Sequence, residues 1–433
     1  MKKLLFLVLV IVMSIVGVTT VAAAGEKVTI TMWHNNNQVY QDLYEKVFDD
    51  FMANNPNIEV KIALQPNVSY DLKILTAFIA SREPDIIDSA HDFALELEQK
   101  YSAWTNLDDY GVRDWEEVKL MDPNILSSLS YEGKLYGLQF TDQPLALFIR
   151  KSWMENVGWD KGYPYIESWD DLIDLAKKFT FEDPDKNGKD DTIGYEMFGS
   201  LDRNYATVQF EYIMNAAGQE LVTKDGKLNI NNETGIKALT FMQDAIWKHK
   251  IAPRDTASFT HMEMYRDIAA GVVGIARLGG WNVPGWMEQL NGDFVALPFP
   301  PIEEGEKNYA STIYHVMMIS TNSKHPEEAL KVIKYLCSAN VQAEFYKKTG
   351  MSYRPDLDYK NLAATEQELF FKDEMLPSKI DRIYLITASW WTADARATLA
   401  QFIQSALVDP TLDPAQVLTD AEKAIVEKFV PKK

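Results

Sequence analysis

The most specific chemical pattern in the sequence is a run of oxygen-bearing residues spaced as in a calcium-binding loop. Such a loop needs oxygen ligands that converge around a sharp turn, and Gly188 stands where that turn falls. The twelfth position holds Gly194, so Glu196 or a residue distant in sequence would have to supply the usual carboxylate. An Asx-rich turn between a helix and a strand is the alternative interpretation. The predicted ligands of a structural Ca²⁺ are Asp183, Asp185, Asn187, the carbonyl of Lys189, and Asp191.

A second pattern consists of tryptophans at positions where a chain turns. Trp281 follows two glycines at the end of a predicted strand, and Trp390 and Trp391 form a tandem pair before a predicted helix. Aromatic planes stack on the apolar C–H faces of sugar rings, while sugar hydroxyls need polar partners. These tryptophans therefore favour carbohydrate binding, and ordinary core packing is the alternative for each of them.

Polar side chains follow the first and third predicted strands. His91 and Asp92 come after the third strand, and ligands of open α/β sheets bind outside the carboxyl ends of strands. Helix capping is the alternative role for such residues. The polar run after the first strand is His34, Asn35, Asn36 and Asn37.

No enzyme signature accompanies these patterns. The sequence has no P-loop, no GxGxxG, no HExxH and no GxSxG, and its six histidines are scattered. A glycosidase pair of carboxylates stays open, but among 63 acidic residues any chosen pair carries little information. We therefore expect no catalytic cofactor.

Charge and cysteine content narrow the range of partners. The formal net charge is −20, which disfavours binding to nucleic acid and to anionic membranes. The one cysteine, Cys337, excludes an intrachain disulfide.

The first 24 residues have the pattern of an export signal. A basic start, an apolar run too short to span a bilayer, and three alanines precede Gly25. Residue 25 is not cysteine, so lipidation there is not expected. These features predict a signal peptide over 1–24 and a periplasmic protein, which we expect to be a monomer.

Hydrophobic spacing predicts an α/β fold. Strands at Val28–Trp33, 58–64 and 85–88 alternate with helices at 40–51 and 72–80. Alternation of this kind requires parallel strands joined by helical crossovers.

Several segments together resemble the sugar-binding branch of the extracellular solute-binding proteins of ABC importers, the branch that includes maltose-binding protein. They occur in the family's order between Val28 and about Phe429. The segments are ITMWHNNN, EPDIIDSAHD, EGKLYGLQF followed by LALFIRK, GVVGIARLGGW, STNSKHPEEALKVIKYL, and SWWTADARATL.

The resemblance implies a two-lobed periplasmic binding protein fold with a hinge and an interlobe cleft. Residues 25–141 plus about 281–320 would form the N-terminal lobe, and 142–280 plus about 321–433 the C-terminal lobe. The chain would cross between lobes near Asp142 and again at Trp281. One departure is Ser89, where maltose-binding protein has an aromatic residue, so maltose need not be the ligand.

The resemblance also implies a set of ligand contacts. The first lobe would offer the HNNN run with His91 and Asp92, and the first crossing would offer Asp142 or Gln143. The remaining implied contacts are Tyr205, Trp281, Tyr353, Arg354, Trp390, Trp391 and Arg396.

The sequence thus predicts a non-catalytic receptor that captures a sugar or short oligosaccharide and delivers it to the membrane subunits of an ABC permease. Two alternatives stay open at this point. One is a secreted carbohydrate-active enzyme, and the other is a receptor of the same fold for a peptide or another non-sugar solute.

Overall fold

The computed structural model describes residues 27–35, 38–66, 70–161, 166–223, 225–365, 381–383 and 390–431, apart from the side chains of 91–95 and 381–383. The predicted signal peptide lies outside these residues. Two large β-sheets and one two-stranded sheet form the described chain, and each large sheet packs against hydrophobic cores of its own. None of the described helices is long and apolar enough to cross a bilayer.

The first part of the chain alternates strands and helices as the hydrophobic spacing predicts. Tyr44, Phe48 and Phe51 recur at helical spacing on the buried face of the first helix. The strands are β1 Val28–His34, β2 Ile58–Leu64, β3 Ile86–Ala90, β4 Ser130–Tyr131, β5 Lys134–Leu135 and β6 Leu138–Gln139. The helices are α1 Gln38–Asn54, α2 Tyr70–Ile79, α3 His91–Tyr101, α4 Glu116–Lys119 and α5 Pro123–Ser128.

The middle of the chain builds a second sheet. Ser168 caps one of its helices by accepting a hydrogen bond from the Asp171 N–H. The strands are β7 Gln143–Ile149, β8 Ile193–Glu196, β9 Val273–Gly279, β10 Val295–Leu297 and β11 Tyr309–Ile313. The helices are α6 Lys151–Asn156, α7 Trp169–Phe181, α8 Tyr205–Ala216, α9 Glu233–Trp247, α10 His261–Ala269 and α11 Val283–Gln289.

The last part of the chain contributes to both sheets. Its elements are β12 His315–Ile319, α12 Pro326–Leu336, α13 Ala339–Thr349, α14 Tyr359–Leu362, β13 Asp381–Ile383, α15 Ala393–Val408 and α16 Pro414–Phe429.

The sheet orders confirm the α/β prediction. The first sheet has the order β2-β1-β3-β12-β6, in which β1 pairs in parallel with β2 and β3, while β12 runs antiparallel to β3 and β6. The second sheet has the order β13-β11-β7-β9-β8, with β10 also paired to β7. We call the first sheet with its core the first lobe, and the second sheet with its cores the second lobe.

The described chain passes between the lobes at two places. One passage is the segment 140–142 between β6 and β7, and the other is Tyr314 between β11 and β12. Tyr314 is fully buried, and its hydroxyl lies 2.5 Å from the Ser128 hydroxyl. By Asp381 the chain has returned to the second sheet, where β13 pairs with β11.

The lobe boundaries predicted at 281 and 321 are therefore wrong. Val283, Trp286 and Phe294 pack with the strands of the second lobe, so the chain stays there until Ile313. The apolar stripe of α12, including Leu330 and Ile333, packs in the first lobe instead of the second. Strand partners that are distant in sequence decide these assignments, and the local pattern does not contain them.

Glu196 at the end of β8 is an acidic side chain buried in the second lobe. Its side chain is 1% exposed, and neither carboxylate oxygen has a hydrogen-bond partner among the described residues. Burial, together with the nearby Asp267 carboxylate, raises the pKa of Glu196 to about 8. Between pH 4.5, its ordinary pKa, and about 8, the folded chain therefore holds a proton that the unfolded chain has released.

This linkage predicts that the free energy of unfolding falls as the pH rises through that range. Glu196→Gln should remove that decline and raise the melting temperature at pH 8 by ~2 °C or more, with little change at pH 5. Glu155→Gln, on the exposed side of α6, is the control. Parallel pH profiles of melting temperature for wild type and Glu196→Gln would contradict the prediction.

Candidate ligand-binding cleft

A cavity of about 470 Å³ lies between the two lobes. It is within the size range of small-molecule sites. The first lobe lines it with Asn35, Tyr40, Asp71, Ser89, Ala90 and His315. The second lobe lines it with Gln143, Leu145, Arg203, Tyr205, Val208, Glu211, Tyr212, His261, Tyr265, Arg277, Trp281, Ser311, Ile313 and Arg396.

The first-lobe wall is held by a buried carboxylate. Asp88 on β3 is 0% exposed; Oδ2 accepts a hydrogen bond from the Tyr44 hydroxyl at 2.9 Å, and Oδ1 lies 2.7 Å from Nδ1 of His315. The Tyr70 hydroxyl donates to the carbonyl of Asp88 at 3.0 Å. Since β12 pairs with β3, this network fixes His315 next to the strand that carries Ser89.

Ser89 is a cavity-lining residue with a buried hydroxyl. Its Oγ is buried and has no hydrogen-bond partner among the described residues. Buried hydroxyls are normally hydrogen-bonded in native structures, so this one is available to a ligand or to water.

Aromatic rings dominate the second-lobe wall. Nε1 of Trp281 donates to the Tyr265 hydroxyl at 3.0 Å, and the Tyr205 hydroxyl is hydrogen-bonded to Nδ1 of His261. Burial raises the pKa of Tyr205 to about 12. Burial also lowers the pKa of His261, and Arg277 and Arg203 lower it further. The His261 ring is therefore neutral at pH 7.

Glycine makes the position of Trp281 sterically feasible. A Cβ added at Gly279 would lie only 2.2 Å from the indole ring of Trp281. The sequence LGGW therefore turns the chain at the end of β9 and packs the indole directly on the strand backbone. The chain therefore turns within the wall of the cleft at this point. It does not cross to the first lobe there, contrary to the prediction for Trp281.

Arg277 occupies the middle of β9 with its side chain toward the cavity. Its guanidinium carbon lies 4.8 Å from the ring centre of Phe198 and 5.8 Å from that of Tyr212. Sequence reasoning missed this residue. The available signal was a lone charged residue within the otherwise apolar strand VGIARLG.

Five of the residues predicted as ligand contacts meet at the cavity. They are Asn35, Gln143, Tyr205, Trp281 and Arg396.

Other predicted contacts lie beside the cavity or beyond the described part. Asp142 is in the first passage and accepts a hydrogen bond from the Thr312 hydroxyl at 2.9 Å. Asn36 and Asn37 lie outside the described residues. His91 and Asp92 begin α3, but their side chains are outside the description.

His34 belongs to the first-lobe core instead of the cleft. Its side chain is 0% exposed, Nε2 lies 2.8 Å from Oε1 of Gln41, and the ring packs edge-on against Tyr44. Burial lowers its pKa. The alternation of side chains along β1 turns His34 inward and leaves the next residue, Asn35, at the cavity.

Tyr353 and Arg354 also lie in the first lobe, away from the cavity lining. The Tyr353 hydroxyl and Nη1 of Arg354 both donate to the carbonyl of Cys337, at 3.1 Å and 2.9 Å. Arg354 also pairs with Asp356. They stabilise the end of α12, so the structure contradicts their predicted place near the ligand.

Trp390 and Trp391 pack against the second-lobe core and are not among the described residues that line the cavity. Nε1 of Trp390 donates to the carbonyl of Gly226 at 3.0 Å, and the two indole rings meet edge-on. Core packing, the alternative for these tryptophans, therefore accounts for their contacts.

The calcium-like loop forms a compact turn. Gly188 has φ +77°, as the sharp turn requires, and its N–H donates to Asp183. Nδ2 of Asn187 donates to Asp185 at 2.7 Å and to Asp191 at 3.2 Å. Within the described residues, no three His, Cys, Asp or Glu side chains are placed to hold a metal ion. The hydrogen bonds are those of an Asx-rich turn, and calcium binding stays a prediction.

Comparison with known proteins identifies the family. The profile of the bacterial extracellular solute-binding proteins matches residues 35–343, so the chain belongs to that family. The fold agrees, because a solute-binding protein from Thermotoga lettingae, bound with alpha-D-tagatose, superposes with a TM-score of 0.78 at 21% identity. That likeness covers 92% of this chain and 99% of the other. The family and the fold are those of binding proteins.

Two curated relatives match over part of their lengths. The polygalacturonan/rhamnogalacturonan-binding protein YtcQ of Bacillus subtilis (strain 168) is 30% identical over 154 residues, which are 34% of this chain and 28% of that protein. The maltotriose-binding protein of Pyrococcus abyssi is 20% identical over 310 residues, which are 71% of this chain and 62% of that protein. The chain thus spans less than two thirds of either relative.

The buried Asp88 network generates a stability prediction. Asp88→Ala would leave the Tyr44 hydroxyl and the His315 ring without their acceptor, and should lower the free energy of unfolding by about 2–3 kcal/mol. Asp88→Asn keeps one acceptor oxygen and should cost less. Urea denaturation measures both variants, and an Asp88→Ala protein as stable as wild type would refute the assigned role of the network.

Proposed function

We propose that this protein captures a sugar or short oligosaccharide outside the cytoplasm and delivers it to the membrane subunits of an ABC importer. The observation that carries the proposal is the interlobe cavity, which combines aromatic rings with polar groups from both lobes. The names of the relatives, and the ligand of the similar structure, support a carbohydrate.

The chemistry of the two walls suits a sugar. Trp281, Tyr205 and Tyr265 offer ring faces or edges from the second lobe, and Asn35 and Ser89 offer amide and hydroxyl groups from the first. A pyranose or furanose has the same division, since its C–H faces are apolar and its rim of hydroxyls needs hydrogen bonds. An apolar solute would leave these polar groups without hydrogen-bond partners.

The placement of the cavity suits capture by closure. Both lobes contribute to it, and the two described passages between them are short. Small backbone rotations in such passages are typical hinges for domain closure around a ligand. We infer a monomeric, non-catalytic receptor that is exported by the signal at 1–24 and works in the periplasm.

Trp281→Ala tests the cleft. A panel of mono- and oligosaccharides is first screened by thermal shift, since a ligand that binds only the folded state raises the melting temperature. For the sugar that does so, Trp281→Ala should weaken affinity at least about tenfold, because it removes a stacking surface. Titration calorimetry measures the loss.

Trp115→Ala is the matched control, since Trp115 is half-buried in the first lobe beneath Lys334, outside the cavity lining. It should bind like wild type. Equal affinity of Trp281→Ala and wild type would overturn the assignment of the cavity. Chromatography of the panel after incubation addresses the enzyme alternative, because a receptor leaves every oligosaccharide intact.

We further propose that the loop 183–191 binds a structural Ca²⁺. Support comes from five oxygen-bearing positions in the order of a calcium loop, and from Asp183, Asp185 and Asp191 gathered around Asn187. A bound cation would neutralise carboxylates that otherwise repel each other; partial burial, with Asp183 and Asp191 nearby, raises the pKa of Asp185.

Calcium should therefore stabilise the folded protein. Chelation with EDTA should lower the melting temperature by a few degrees, and calcium should restore it. Asp185→Asn should abolish this sensitivity. Asp190→Asn makes the same charge change in the same loop at a position outside the ligand set. This control should keep the sensitivity of the melting temperature to EDTA. If EDTA does not change the melting temperature of wild type, the calcium proposal is wrong and the loop is an Asx-rich turn.

A further inference from the structure

Arg277 is a charged side chain buried in the cavity wall without a counter-ion. Only 8% of it is exposed, and it makes no hydrogen bond or ion pair with any described residue. Burial lowers the pKa of Arg277, and the side chains that act on it most strongly in the opposite direction are the phenols of Tyr265, Tyr212, Tyr205 and Tyr195. Aromatic rings surround the guanidinium, and no described carboxylate lies within ion-pair distance of it.

Such an arrangement is costly for the protein alone. Burying a charge without a partner costs several kcal/mol, and buried charges in native proteins are normally paired. The guanidinium does not escape by losing its proton, since arginine stays protonated in proteins. A group that enters the cavity with a negative charge would provide the missing partner.

Other arginine side chains of the cavity add to its positive charge. Arg203 and Arg396 line the same cavity, against two acidic side chains, Asp71 and Glu211. The lowered pKa of His261 reflects burial and the positive charge of Arg277 and Arg203. This concentration of arginine contrasts with the formal charge of −20 of the whole chain.

We propose that the natural ligand is an acidic saccharide, and that the Arg277 guanidinium binds the carboxylate of a uronic acid unit. The inference rests on the proposed sugar-binding function and narrows its substrate class. A guanidinium presents parallel N–H groups that match the two oxygens of a carboxylate. A uronic acid keeps the ring faces and hydroxyls that suit the aromatic wall, and the polygalacturonan in the name of one relative is a polymer of such units.

The test compares ligands that differ only in charge. Di- and trigalacturonate are titrated alongside their methyl esters, which keep the sugar rings and remove the negative charge. The acids should bind, and each ester should bind about tenfold or more weakly than its acid, because it loses a buried charge-assisted hydrogen bond. Equal affinity for acid and ester would overturn the inference.

Variants locate the effect. In Arg277→Met, a neutral side chain of similar length, the acid should lose at least about tenfold in affinity and the preference of acid over ester should disappear. Arg277→Lys should keep the positive charge but lose the paired N–H groups of the guanidinium, and should therefore retain part of the preference for the acid. Arg254→Met is the control, since Arg254 stacks on Trp247 away from the cavity and should bind like wild type. An unchanged preference in Arg277→Met would also overturn the inference.

A wider panel separates this inference from the proposed function. Neutral oligosaccharides that bind while galacturonates do not would refute the acidic ligand and leave the sugar receptor standing. Sugar phosphates or sulfated sugars that bind in place of galacturonates would refute the carboxylate assignment. If no saccharide of any charge raises the melting temperature, the proposed function itself fails.

Discussion

A single residue, Tyr314, joins strands that belong to two different sheets, and the cleft depends on this constraint. An extended chain advances about 3.3 Å per residue, so β11 and β12 hold the lobes within a residue's length of each other at this point. Ser311 and Ile313 reach the cavity from one side of the junction and His315 from the other. The buried hydroxyl contact of Tyr314 with Ser128 anchors the junction in the first lobe.

The two walls that meet at this junction have different chemistry. In the first lobe, the buried Asp88 satisfies neighbouring hydroxyl and imidazole groups, which leaves Ser89 Oγ without a protein partner in the described chain. In the second lobe, packed aromatic rings surround Arg277 and bring it no counter-ion. Ser89 and Arg277 both line the cavity, where a ligand could supply the partners that the described chain does not.

Family and ligand are decided at different levels of the structure. The match over residues 35–343 and the similar fold define an extracellular solute-binding protein, and a fold of this kind serves many ligands. The choice among them depends on a few side chains at the cleft. Ser89, Trp281 and Arg277 differ in polarity, shape and charge, so they form the part of the site where selectivity is expected to arise.

The sequence by itself determined the local elements and the family. Hydrophobic spacing predicted α1 and the parallel strands around β1, because burial of one helix face or one strand is a local periodic requirement. The glycines before Trp281 and the family resemblance predicted this residue as a ligand contact, and it lines the cavity, although the crossing predicted there is wrong. Only the tertiary structure decided that α12 belongs to the first lobe, that His34, Tyr353 and Trp390 are buried in cores, and that Arg277 lacks a counter-ion. Each of these depends on which distant residues surround a side chain, and no local pattern carries that information.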